Sequence, residues 1–334
     1  MSTFVVTGGG GFLGSALCIA LRGSGHEVRS LARGDYPGLR ARGVDTMRAD
    51  LAEAPERWAE CLSGADGVFH VAAKVDLWGN YADFERTNVR GTKNVIEQAR
   101  RHGVRRLVFT SSPSVVANGC DLCGVDESQP YPESYDAFYP QTKALAEQFV
   151  LRANDAELFT CALRPHLIWG PGDTNLLPRL ITRARAGRLF QIGDGANLVD
   201  TCFIDDCVRA HRLAMEALER NTSARGKAYF VSQGEPVPMW TIVNDMLRRS
   251  GVAPVRRRIP LAVALGLAGT QELLARLSPW PFEPSMTRFL VKELATSHYF
   301  NISRARNLLG YEPQYTIAQA LDLTFATREH RGAV

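Results

Sequence analysis

The chain has 334 residues, 45% hydrophobic and 22% charged, with a formal net charge of +4. That composition is ordinary for a globular enzyme, and the length admits one large domain or two intimate ones at about 100–200 residues each. The longest basic runs, Arg256-Arg257-Arg258 and Arg105-Arg106, are too short for a nucleic-acid footprint, so no nucleic-acid partner is expected. The seven cysteines are odd in number and no signal peptide precedes Phe4, which predicts free thiols and a cytoplasmic location. Cys120 and Cys123 form one CxxC without a second ligand pair, so no metal is expected.

In chain order, strand and helix patterns alternate. Strands are predicted at Thr3–Thr7, His26–Leu31, Val44–Arg48, Gly67–Ala72, Arg106–Thr110 and Phe159–Arg164. Helices are predicted at Phe12–Arg22, Tyr81–His102 and Tyr139–Asn154. The alternation implies parallel βαβ units in a doubly wound α/β sheet of Rossmann type, spanning 1–165. After Pro165 the pattern loosens, and 166–334 reads as a mainly substrate-binding domain, some of whose segments could return to the sheet. Leu261–Leu277 is apolar but too short to cross a membrane. It reads either as a helix lying on a membrane or over a greasy pocket, or as a core helix.

Thr7-Gly8-Gly9-Gly10-Gly11-Phe12-Leu13-Gly14 follows the first strand and opens the first helix. Gly8 permits a sharp turn, Gly11 a close approach to pyrophosphate, and Gly14 tight helix–strand contact. The helix N-terminus offers free N–H groups to the anion. Gly8, Gly10, Gly11, Phe12, Leu13 and Gly14 are therefore expected to contact a dinucleotide. After the second strand the acid typical of an NAD site is absent, and Arg33 can clasp a 2′-phosphate bidentately. This favours NADP(H) over NAD(H). Asp50-Leu51 is placed for the adenine edge and Ala72-Ala73 for passing under the cofactor. His70 reads as a core histidine.

Tyr139 and Lys143 stand at i and i+4 on one helical face. A nearby ammonium favours phenolate, so Tyr139 can exchange a proton with a substrate oxygen while Lys143 holds the nicotinamide ribose. Ser112, in Thr110-Ser111-Ser112-Pro113-Ser114, can polarise a carbonyl, with Ser111 and Ser114 as neighbours.

These pieces, with HVAA (70–73), TNVRGT (87–92) and LRPHLIWGPGD (163–173), resemble the extended short-chain dehydrogenase/reductases. Further pieces, AAKVDLWGNY (72–81), GDGANLVDT (193–201) and EPSMTRFLVKELATSHYF (283–300) among them, resemble the 3β-hydroxysteroid dehydrogenase branch, and within it the bacterial reductases of 2-alkyl-3-oxo acids in olefin synthesis. The resemblance implies that Asn88 supports the active-site helix and cofactor region, and that Pro165 and His166 pack on the nicotinamide. It implies reduction by NADPH of a β-keto acid with two long alkyl chains, and a homodimer formed through 81–102 and 139–154. On that reading Trp78, Tyr81, Ser114, His166, Trp169 and Leu176 shape the substrate pocket, and Arg179 or Lys74 attracts a carboxylate. The apolar 261–277 segment suits a lipid-like substrate delivered at the inner membrane face. The rivals are an oxidative 3β-hydroxysteroid or 4-carboxysterol dehydrogenase, a sugar-nucleotide epimerase and a non-catalytic dinucleotide sensor. A 4,6-dehydratase is disfavoured because Ser112-Pro113 stands where those enzymes carry Asp-Glu.

Overall fold

Seven runs of alternating or continuous apolar residues pair side by side, all parallel. In chain order they are β1 (Thr3–Thr7), β2 (Glu27–Ala32), β3 (Asp45–Arg48), β4 (Gly67–His70), β5 (Arg106–Thr110), β6 (Phe159–Pro165) and β7 (Lys227–Val231). Their spatial order is β7-β6-β5-β4-β1-β2-β3. The computed structural model describes residues 1–278 and 282–329. Every residue of β4 and β6 is buried, as expected of a parallel sheet covered by helices on both faces. The strand order reverses between β1 and β4, and a ligand crevice is expected there at the carboxyl ends.

The expected fourth strand stops two residues early, at His70. Val71 and Ala72 leave the sheet to turn beneath the glycine loop, where the Val71 amide donates to the Thr7 carbonyl at 3.3 Å and the Ala72 amide to Thr7 Oγ1 at 3.2 Å. The Tyr81–His102 helix is not continuous either. Asn80 caps it by accepting from the Asp83 amide at 2.9 Å. A π-helical turn, Glu85–Arg90, then interrupts it before Gly91–Arg101. That turn buries Asn88, whose side chain accepts from the Lys74 amide at 2.7 Å and donates to Thr142 Oγ1 at 3.0 Å. One extra residue per turn is the usual device for re-aiming a side chain at a functional site.

β7 lies far beyond Pro165 yet pairs along the length of β6, Lys227 with Cys161 through Val231 with Pro165. The Ile204–Arg220 helix likewise packs on β5, β6 and the Phe12–Gly23 helix. The Ser303–Leu309 helix packs on Ile204–Arg220 and β7 as well. A small separate sheet joins Val237–Pro238, Leu198–Val199, His298–Phe300 and, from the first half, Leu122–Val125. The Leu261–Leu277 helix buries only Ala264, Ala268 and Glu272. It is therefore no core helix: Leu261, Val263, Leu267, Leu273, Leu274 and Leu277 face solvent. Among the described residues no helix is long and apolar enough to cross a membrane.

The Phe138–Arg152 helix is tied to the sheet by a buried ion pair. Arg164 on β6 donates to both Glu147 oxygens, Nη2 at 2.5 Å and Nε at 3.0 Å, and Tyr131 donates to the same carboxylate at 2.6 Å. Removing one partner strands the other charge in the core, which costs about 3–5 kcal/mol. Glu147→Ala is therefore expected to lower unfolding stability by about that amount in a urea titration. A change below about 1 kcal/mol would show that the pair is not what seats the helix.

Candidate active site

The carboxyl ends of β1, β2, β4, β5 and β6 open into one cavity of about 680 Å³, within the usual ligand-site range of about 300–1,000 Å³. At its floor the glycine loop is shaped by contact. Gly8 has φ +72°, and a Cβ there would lie 2.7 Å from the Ala72 backbone. A Cβ on Gly14 would meet the Gly8 carbonyl oxygen at 2.2 Å, and one on Gly10 would enter the Tyr36 ring. The Phe12–Gly23 helix starts at Gly11 with no side-chain cap, so its first amides are free to meet an anion. This bare cradle fits a dinucleotide pyrophosphate. Gly8, Gly10, Gly11, Phe12, Leu13, Gly14, Arg33, Asp50, Leu51, Ala72, Ala73, Ser111, Pro165 and His166 all line the cavity. Asp50 also pairs with Arg86 at 3.0 Å. Asn88 lies outside the lining and reaches the site only through Lys74 and Thr142. His70 is a fully buried core residue between Thr7 Oγ1 at 2.7 Å and Thr92 Oγ1 at 2.8 Å. Burial, aided by Lys143, pushes its pKa down to about 3.

Ser112, Ser114, Tyr139 and Lys143 line the same cavity. Ser112 leaves β5 in extended conformation, and its Oγ lies 2.9 Å from Ser114 Oγ. Lys143 is buried, donates to the Thr110 carbonyl at 2.6 Å and sits 4.0 Å from the Phe109 ring centroid. Burial lowers its pKa to about 7, with Glu147 acting against the fall. The Tyr139 phenol is raised above its ordinary pKa by burial. The Ser112 hydroxyl pulls it down and Glu293 pushes it further up. Burial outweighs the opposing hydroxyl and favours the neutral phenol.

The remaining residues expected in the substrate pocket separate. Leu176 and Arg179 line the cavity, and so does Arg183 one turn on. Trp169 does not: it is fully buried and packs edge-on to Phe203 at 5.8 Å. Lys74 points away and pairs with Asp76 at 2.6 Å, its Nζ 5.2 Å from the Phe84 ring centroid. Trp78 and Tyr81 line an adjoining recess instead.

The sequence reading named His166 but missed His298 and Glu293 in the cavity wall and Asp200 behind it, because distant strands bring them together. Val199 pairs with His298, which sets Asp200 beside two imidazoles. His166 Nδ1 lies 2.8 Å from Asp200 Oδ1, His166 Nε2 lies 3.1 Å from His298 Nδ1, and His298 Nε2 donates to the Glu293 carbonyl at 2.7 Å. Burial lowers the His298 pKa, with Glu293 and Asp200 acting against the fall. The Glu293 carboxylate and both imidazoles bring nitrogen and oxygen atoms within 4.8 Å of one another.

The 3-beta hydroxysteroid dehydrogenase/isomerase family profile matches residues 5–263. The 2-alkyl-3-oxoalkanoate reductase of Stenotrophomonas maltophilia is 48% identical over 95% of this chain and 96% of its own. The decarboxylating sterol-4-alpha-carboxylate 3-dehydrogenase of Homo sapiens is 38% identical over 97% and 88%. The structure of MoeE5 in complex with UDP-glucose and NAD superposes with a TM-score of 0.74 at 25% identity, covering 99% of this chain and 100% of that one. Fold, cradle and relatives together define an NAD(P)-dependent oxidoreductase of the extended short-chain dehydrogenase/reductase type. Within that class the chain belongs to the 3-beta hydroxysteroid dehydrogenase/isomerase family.

The lowered Lys143 pKa has a consequence for stability. Between pH 7 and the ordinary lysine value the folded protein holds Lys143 neutral while the unfolded chain holds it charged. The unfolded state binds more protons there, so stability rises with pH. The unfolding free energy of the wild type minus that of Lys143→Met should grow as pH goes from about 7 to 10, read by denaturant melts. A difference that stays flat would show that the ammonium keeps its proton in the fold.

Proposed function

We propose that this enzyme uses NADPH to reduce a 2-alkyl-3-oxoalkanoic acid to the 2-alkyl-3-hydroxyalkanoic acid. The observation that carries the reading is a polar cluster of Ser112, Tyr139 and Lys143 in a cavity whose wall also gathers Leu176, Leu180, Leu189, Ile242, Val243 and Met246. That lining suits a long-chain ketone, and the 48% identity to a 2-alkyl-3-oxoalkanoate reductase supports the same choice. Ser112 and Tyr139 hold the carbonyl oxygen. A phenol kept neutral by burial is the proton donor that a reduction needs, and Tyr139 passes its proton to that oxygen. Lys143 holds the nicotinamide ribose and refills Tyr139. The reduced nicotinamide, when bound, supplies the hydride. Arg33, exposed at the adenine end, takes the 2′-phosphate. Arg179 and Arg183 have no ion pair among the described residues and attract the carboxylate.

The substrate's greasiness also gives the outward-facing leucines of 261–277 a role. With the exposed Arg256, Arg257 and Arg258 just before them, they rest on the anionic inner face of a membrane while the enzyme stays peripheral and cytoplasmic. The second copy of a homodimer packs on the helices near 81–102 and 139–154. A second reading, oxidation of a 3β-hydroxysterol bearing a 4-carboxylate, draws support from the 38% relative. It would use the same apolar cavity.

A paired assay separates the two readings. NADPH oxidation with a two-chain 3-oxo acid is expected to exceed NAD(P)+ reduction with a 3β-hydroxysterol, and turnover of the sterol alone would overturn the first reading. Tyr139→Phe should lower kcat/KM by about 10²–10⁴-fold. Arg33→Ala should raise the KM for NADPH by about tenfold or more while leaving that for NADH unchanged, since a charge-assisted bond is worth about 1.5–3 kcal/mol.

A further inference from the structure

A second recess, about 940 Å³ and more open to solvent, adjoins the cavity. The two share Leu77, Asp136 and Phe289 in their walls. Asp136 and Tyr139 both line the cavity. Lys292, which lines the cavity, closes one side of this junction by pairing with Asp136 at 2.7 Å. Leu77 and Phe289 give it an apolar surface.

Beyond the junction the recess gathers aromatic rings left partly in water among charged and polar groups such as Glu272, Glu283 and Arg288. Tyr81 and Phe138 meet edge-on at 5.6 Å, and Phe84 lies 6.4 Å from Phe138. Tyr81 is 38% exposed, Phe138 39% and Phe282 46%. Trp78 sits at the rim under the Arg276 guanidinium, 5.9 Å from its ring centroid. Large apolar side chains scattered singly on a surface call for no explanation, but several gathered in one concave patch mark a binding place. Its outer edge is the end of the outward-facing apolar helix, through Ala275.

We propose that this recess takes one alkyl arm of the substrate while the other arm stays in the main cavity, so that the reacting carbon sits where the two spaces meet. The proposal rests on the two-chain reading of the substrate given above. The two long chains of such a substrate leave adjacent carbons, C2 and C3, and a second space beside the cavity lets them part. The cavity and the recess share Leu77 and Phe289, and each offers apolar side chains to one chain. The recess also opens beside the leucines of 261–277, so an arm can enter it from a lipid surface without crossing bulk water.

Ala275→Trp fills the recess from its outer edge without touching the cavity. The wild-type holoenzyme is expected to bind dansyl-undecanoate, read by fluorescence anisotropy, and Ala275→Trp to weaken that binding by about tenfold or more. In the same variant, kcat/KM for a long 2-alkyl-3-oxo acid relative to an unbranched 3-oxo acid should fall by a similar factor. Unchanged dansyl-undecanoate affinity, in a variant that melts with the wild type, overturns the proposal. A shift from dimer to monomer on gel filtration with that affinity unchanged also overturns it, and identifies the recess as an interface between copies. If the wild type turns over neither acid, the proposed reaction fails, and the anisotropy comparison still decides the recess.

Discussion

The helix that carries Tyr139 is held at three successive turns of one face. Tyr139 lines the cavity, Lys143 donates to the last carbonyl of β5, and Glu147 receives Arg164 from β6. The spacing of four residues makes these three a single rigid row. Because the ion pair at the foot is buried and its carboxylate also accepts from Tyr131, the helix has little freedom to slide or turn. The reacting phenol is thus positioned by the core of the protein. A charged pair is an expensive way to fix a helix, yet removing either half costs more than keeping both. The same low-dielectric setting lowers the lysine pKa and raises the tyrosine pKa.

Much of this could be read from the amino acids. The glycine loop announces itself because strand, turn and helix follow each other within a few residues, and the Tyr139–Lys143 pair is local to one helix. The six first strands carry apolar periodicity strong enough to place them within a residue or two. What could not be read depends on long-range pairing. His298 and Asp200 have no local pattern that marks them, and they meet only because Val199 pairs with His298. The same holds for Trp169, which looks like a pocket residue from its place after Pro165 but is turned into the core against Phe203. Lys74 is drawn aside by Asp76, two residues away.

The π-helical turn at Glu85–Arg90 shows how one extra residue can serve a distant site. Without it, Asn88 would fall on another face of its helix. With it, the amide clamps the loop after β4 to Thr142, next to Lys143. Floor and catalytic helix are thereby braced against each other without any group of that clamp entering the cavity. No sequence rule used above marks such a turn, since Glu-Arg-Thr-Asn-Val-Arg reads as ordinary helix.

The last strand of the sheet bears on how the chain is made. β6 has all seven residues buried, and its outer edge is covered only when β7 pairs with it. During synthesis, at about 5–20 residues per second, the glycine loop and Tyr139 emerge well before Lys227–Val231. Until then the growing sheet ends in a long, flat, apolar edge, the kind that pairs with other chains. The cofactor-binding half is therefore a poor candidate for separate expression: cut at residue 165, it would keep its motifs and lose the strand that seals them.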